Sequence, residues 1–286
     1  MKPFIGIDIT EKKNNEEING KEFVVQTTSA PMLEAYNKAS QALEGFGKKA
    51  AMTLPVRIVY TALGAVAMIV TGGFGKAIVK NDDLSFIDAY KNAPVLFWVG
   101  IAAWVLFWVI SVFYNRKGKA LAKSDEFNHA QDKTLSIANS IYTELGVPAQ
   151  APFVDILSFQ YKIKDGKLKP KNKEGKVVPF INIAFKIHSD EQKLYLTEME
   201  NKYAFDLATL KGIKVTKEKG FIQSWNKEVS FDDPEYEQYK ITNNDHGIYF
   251  KKYCILELEH NGENWGIYFP DYDLPHVEQA TGLKAE

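Results

Sequence analysis

Cysteine is all but missing from this chain, with Cys254 standing alone. A single thiol excludes an intramolecular disulfide and a cysteine-rich zinc site. Its setting, Tyr253-Cys254-Ile255-Leu256-Glu257, alternates with polar residues and predicts a small core hydrophobe rather than a reactive nucleophile. The lack of disulfides fits a reducing cytoplasmic setting for the water-exposed part. Arginine is almost as scarce: Arg57 and Arg116 are the two examples, and lysine supplies every other basic side chain. Guanidinium forks of the kind that hold phosphates and carboxylates are therefore in short supply. A formal charge of −1 over 286 residues gives no electrostatic case for a nucleic-acid partner.

Charge itself is missing from two long stretches, between Arg57 and Lys76 and between Lys91 and Arg116. A helix needs about 20 mostly apolar residues to cross the hydrocarbon core of a bilayer. The second stretch meets that length; the first approaches it and is extended by Arg57 and Lys76 snorkelling at its ends. The spans are expected near 56–78 and 93–114. A pair of core helices in a soluble protein would need a polar stripe or complete enclosure, and residues 97–113 are apolar all round. A cleaved signal peptide is a poor fit, because the first apolar run lies deep in the chain.

Small residues recur on both spans, at Gly64 and Ala67 on the first and Gly100 and Ala103 on the second. In lipid, close backbone approach at such positions drives helix packing, so they are expected to form either the seam of the hairpin or a contact with another copy. Trp98 and Tyr114 suit the two interfaces, while Trp104 falls near mid-helix. Lysine and arginine set the orientation. Lys48, Lys49, Arg57, Arg116, Lys117, Lys119 and Lys123 flank the outer ends, against Lys76, Lys80 and Lys91 in the connecting loop. That bias places both termini in the cytoplasm. No ionisable residue inside a span argues against an ion or proton pathway within one chain.

Before the hairpin, Phe4–Thr10 and Lys21–Thr28 alternate like strands around a polar turn at Asn19-Gly20, and a helix starts near Ser29 and ends around Gly45–Gly47. Two strands are not stable alone, so they are expected to join the C-terminal domain. After the hairpin, Leu135, Ala138, Ile141, Tyr142 and Leu145 recur at helical spacing until Gly146 and Pro148. From about residue 153 the pattern turns to strands. Its clearest unit is a hairpin, Tyr253–Glu259 and Trp265–Phe269, around Asn261-Gly262. A short helix after Pro275 closes the chain at Gly282.

The run Leu194–Ile213 resembles bacterial pleckstrin-homology-like (PH-like) domains, in which a strand pair is followed by a short helical turn into the next strand. The segment Tyr268–Glu278 similarly resembles their last strand and capping helix. The order of short N-terminal strands, two-helix hairpin and then this domain is similar to the YcxB-like bacterial membrane proteins. Gly220–Asn244, with Trp225 and Phe231-Asp232-Asp233-Pro234, is longer than that plan requires, which leaves the strand register around 218–245 open. The resemblance implies a bacterial cell-membrane location and supplies no catalytic residues.

Chemistry is sparse. Gly72-Gly73-Phe74-Gly75-Lys76 lacks the leading glycine and the closing Ser or Thr of a phosphate loop. His129, His188, His246, His260 and His276 are scattered without metal-ligand spacing and read as surface or turn residues. No Gly-x-Ser-x-Gly elbow occurs. Asp232-Asp233 and Glu257 with Glu259 are carboxylate pairs, and strand alternation sends the latter pair to an outer, solvated face. One charged feature stands out: residues 162–176 carry seven lysines, Lys167, Lys169, Lys171, Lys173 and Lys176 among them, against Asp165 and Glu174. Near an anionic membrane each is worth about 1 kcal/mol.

The expected architecture is α+β. It runs from an N-terminal hairpin and helix (1–54) through a transmembrane hairpin (55–116) and a linking helix (117–147) to a mainly antiparallel PH-like domain with a C-terminal helix (148–286). The expected role is non-enzymatic, with no cofactor. Expected partners are the bilayer, anionic lipid headgroups through the basic hairpin, and a protein or another copy. Two rival readings are an oligomeric transporter or channel subunit and a membrane-bound enzyme with an unrecognised site.

Overall fold

The computed structural model describes residues 1–4, 20–80, 91, 93–164, 167–171, 175–222, 234–244 and 247–286. All but Phe4 of the strand expected at 4–10, the turn at Asn19, most of the loop between the apolar helices, Trp225, Phe231 to Asp233, Lys173 and His246 lie outside them. The chain is α+β and divides into two compact units that do not follow chain order. Residues Met1–Leu33 and Ala138–Glu286 form a β unit; Glu34–Ile137 form a helical unit.

In the β unit, strand β1 (Lys2–Pro3) and β2 (Val24–Thr27) come from the N-terminal segment. The rest follow the helices: β3 (Phe153–Ser158), β4 (Tyr161–Lys164), β5 (Lys167–Pro170), β6 (Val177–Ser189), β7 (Lys193–Thr197) and β8 (Asn201–Asp206). A 3-10 turn at Leu207–Thr209 leads into β9 (Leu210–Val215). Then come β10 (Lys219–Ile222), β11 (Thr242–Asn244), β12 (Gly247–Phe250), β13 (Tyr253–His260) and β14 (Glu263–Pro270). One sheet has β3, β6, β7 and β8 paired antiparallel in that order, and β2 adds to the free edge of β8. The start of β6 also carries β10 in parallel, then β12 and β11. A second sheet runs β1-β14-β13-β9. The sheets are therefore mixed, with β1 on β14 and β10 on β6 as the parallel pairs.

The turn residues account for the tightest connection. Asn261 and Gly262 both have positive φ, 52° and 77°, as a two-residue hairpin between right-twisted strands demands. Alternating side chains then fill one core, in which Phe185, Phe205, Phe250, Phe269 and Trp265 are fully buried together with Cys254. Burial pushes the Cys254 thiol up to about 12, so it stays protonated. Phe4 enters the same core from the far end of the chain. It lies edge-on to Tyr203 and Phe205 at 5.3 and 5.2 Å between ring centroids. A 3-10 turn at Asp271–Asp273 and helix α5 (Leu274–Thr281) close the unit, with Pro275 in the first turn and Gly282 in the left-handed region at φ 71°.

The helical unit holds most of α1 (Ala30–Ala50), α2 (Leu54–Lys80), α3 (Pro94–Ala122) and most of α4 (Asp125–Glu144). Helix α1 passes through Gly45 and Gly47 instead of stopping there. Each glycine costs about 1 kcal/mol in a helix, and Phe46, edge-on to Phe127 at 5.6 Å, favours continuation. Residues 117–122 extend α3 rather than beginning a separate linker. The break comes at Ser124, whose Oγ accepts the Phe127 N–H at 3.2 Å and so starts α4.

Candidate functional site

Two features of the sequence singled out residues for function: the apolar helices and the basic hairpin. Helices α2 and α3 are both long and apolar enough to cross a membrane, with mean hydropathies of 1.8 and 2.4 over Leu54–Gly73 and Pro94–Ala122. They touch along a narrow line. Among their described residues, full burial is confined to Ala67, Gly100 and Ala103. A methyl group added at Gly100 would stand 2.6 Å from Val70 Cγ1, and one at Gly64 would stand 3.0 Å from the Phe107 ring. Gly64, Ala67, Gly100 and Ala103 therefore lie at one seam between α2 and α3. Beside it the Tyr60 ring stacks on Phe107 at 4.3 Å and 15°, and the Tyr60 and Ser111 hydroxyls share a hydrogen bond at 2.9 Å.

Two threonines on α2 bond within their own helix. Thr61 Oγ1 donates to the Arg57 carbonyl at 2.9 Å and Thr71 Oγ1 to the Ala67 carbonyl at 2.7 Å. Away from the seam the apolar side chains are bare: Ile69, Val95 and Trp108 are 73%, 74% and 64% exposed. A helix pair from a soluble core would have these side chains enclosed.

The basic hairpin is the ribbon β4–β5, whose register sets Lys162 opposite Lys169 and Lys164 opposite Lys167. Like charges directly opposite each other destabilise a strand pair. Lys171 and Lys176 follow on the way into β6, half-buried and exposed respectively, and the Lys171 N–H donates to the Gln160 carbonyl at 2.6 Å. The structure thus places Lys167 and Lys169 on the β4–β5 ribbon, Lys171 just after it and Lys176 just before β6.

Three constellations carry no local sequence signature. In the β unit, Lys202 Nζ donates to the Leu145 carbonyl at 2.9 Å, at the C-terminal end of α4, and Lys186 Nζ donates to the Ala149 carbonyl at 3.4 Å in the turn that follows. Lys186 also lies over the Tyr142 and Phe153 rings at 5.0 and 5.1 Å. Beside this joint His188 stacks on Tyr195. Burial, with the Lys202 charge adding, holds its pKa down at about 4.

In the second constellation Asp155 accepts from Tyr272 Oη at 2.7 Å and from Asn182 Nδ2 at 2.9 Å, while its own N–H donates to Asp273 Oδ2 at 2.7 Å. Burial, with the Asp155 charge next, pushes Asp273 well above the ordinary carboxylate range. Burial also raises Asp271 to about 6, and its Oδ1 has no hydrogen-bond partner. These groups tie the closing turn to β3. The third constellation is residues 283–286, folded back from α5 along β9. Among the described residues, no three His, Cys, Asp or Glu side chains converge to hold a metal. An open hollow of about 340 Å³ is lined by Lys219, Tyr249, Phe250 and Lys251 among others. No family model, curated protein or solved structure matches the chain.

Proposed function

We propose that this is an integral membrane protein of the bacterial cell membrane, anchored by α2 and α3, with both termini cytoplasmic. Its β unit serves as a PH-like interaction module for anionic lipid or a protein partner, and it has no catalytic role. The observation that carries the anchor is the bare apolar surface on both sides of a seam built from Gly64, Ala67, Gly100 and Ala103. Such surface is costly in water and neutral in lipid, where small residues and the Tyr60–Ser111 hydrogen bond supply the packing. Alkaline washing of membranes tests it. The chain stays in the pellet, and recovery in the supernatant without detergent overturns the reading.

The strand order supports the PH-like reading. Four antiparallel strands, β3-β6-β7-β8, are followed by the β9-β13-β14 sheet and a helix packed after the last strand. On that plan the lysine ribbon is an insertion between the first two strands. Lysines set opposite each other in the ribbon's register are relieved by a polyanion, which is the case for anionic headgroups. The chain held in neutral-lipid nanodiscs captures anionic vesicles at low salt. Replacing Lys167, Lys169, Lys171 and Lys173 with glutamine abolishes capture. No capture by the unmodified chain ends the lipid reading and leaves the protein partner.

A further inference from the structure

Strand β9 ends the β1-β14-β13-β9 sheet, so one of its edges faces away from β13. An uncovered edge is a row of unpaired backbone groups and a template for another strand. Along this one lies a piece of the same chain. Gly282, at φ 71°, turns the chain out of α5, and residues 283–286 run back parallel to β9, with Ala285 bridged to Ile213. The Glu286 N–H donates to the Ile213 carbonyl at 3.0 Å, and the Val215 N–H to the Glu286 carbonyl at 3.5 Å.

The segment behaves as a bound strand would. Leu283 and Ala285 pack on the core, while Lys284 and Glu286 are exposed. Glu278 on α5 clamps it from the other side. Its Oε1 accepts the Ala285 N–H at 3.0 Å and its Oε2 accepts Lys284 Nζ at 2.8 Å. The result is a groove with β9 as one wall and α5 as the other. It selects an extended backbone, a side chain of apolar character, then a lysine reaching Glu278, then a small apolar side chain. These backbone contacts reach Ile213 and Val215, the far end of a strand that runs Leu210–Val215. A longer strand in the same orientation would pair with more of the edge and keep the same pockets.

Resting on the interaction-module reading above, we infer that the β9–α5 groove is a strand-addition site for a protein partner, and that residues 283–286 occupy it as a displaceable internal ligand. The partner is an extended segment with an apolar–lysine–small apolar pattern, added parallel to β9. The bland reading is that residues 283–286 merely cover the edge, in which case nothing takes their place when they leave.

The test uses the full chain in detergent and a fluorescent peptide spanning Gln279–Glu286. Ending the chain at Gly282 gives anisotropy binding roughly tenfold or more tighter than to the intact chain. It also speeds hydrogen exchange at Val215, and added peptide slows that exchange again. The variant Glu286→Pro, which removes the N–H donated to Ile213 and keeps the rest, shows the same gain. A peptide with proline in place of Glu286 does not bind. Equal binding to intact and shortened chains, no binding to either, or unfolding of both variants each overturns the groove. Alkaline extraction of the same membranes keeps the two readings apart: release of the intact chain defeats the anchor, whereas peptide failure with the chain still in the pellet defeats the groove alone.

Discussion

In the β unit Phe185, Phe205 and Trp265 point inward, while Lys211, Lys214 and Lys219 point out; along α2 and α3 the order is reversed, with Ala67, Gly100 and Ala103 at the contact and Ile69, Val95 and Trp108 outside. One chain thus contains two kinds of interior. In water, large apolar side chains gain by leaving the solvent, and they set the core. In hydrocarbon that gain vanishes, and contact goes to whatever lets backbones approach or leaves a hydroxyl unpaired otherwise. With α2 and α3 in lipid, as proposed, the same large side chain has opposite energetic meaning in the two units.

Substitutions can break that contrast, beginning with the largest effect. Phe185→Ala in the β core is expected to cost about 3–5 kcal/mol, read as a lower denaturant midpoint, whereas Trp108→Ala on the outer face of α3 leaves the midpoint where it was. Gly100→Val drives a side chain into Val70 and is expected to cost about 1–3 kcal/mol, seen as earlier loss of helical signal on heating in detergent, with the β unit's transition unmoved.

A pH experiment sharpens the comparison within the β unit. Burial raises Asp271 to about 6, so the folded state resists its ionisation and loses stability as pH climbs from about 4 through 6. Asp271→Asn should therefore raise the melting temperature at pH 7.5, by about 1–3 kcal/mol of stability, and leave it unchanged near pH 3.5. A variant no more stable at pH 7.5 would show that the carboxylate is compensated. The smallest effect belongs to Tyr60→Phe. Interhelical hydrogen bonds in membranes average about 0.6 kcal/mol, so the loss should be at that level in detergent unfolding, and adding Ser111→Ala to Tyr60→Phe should not increase it.

Much of this was legible locally. Asn261-Gly262 announced the β13–β14 hairpin because its turn type constrains the residues that can form it, and Ser29 and Gly282 marked helix ends by their own backbone chemistry. The four small residues stand out in the sequence of α2 and α3, but the side chains they lie against do not, since Val70 and Phe107 look like any other apolar residue there. Pairings across long separations left no trace. Nothing in Phe153–Ser158 says that it pairs with β6 across the lysine ribbon, nor in Lys2–Pro3 that it lies along β14. The hydrogen-bond chemistry of Asp155, Tyr272 and Asp273 was hidden for the same reason: each residue is ordinary by itself, and the fold brings them together.

Phe4 in the core of the β unit has a consequence for the order of events during synthesis. It emerges from the ribosome long before Tyr203 and Phe205, which it must meet, and the two apolar helices emerge in between. The β unit cannot be completed as a continuous stretch of nascent chain. Its leading segment has to wait, unpaired, while α2 and α3 are dealt with, and only then does the returning chain provide the sheets that receive it. A bulky fusion placed ahead of Met1 should accordingly slow the last stage of maturation while leaving the helices' delivery untouched.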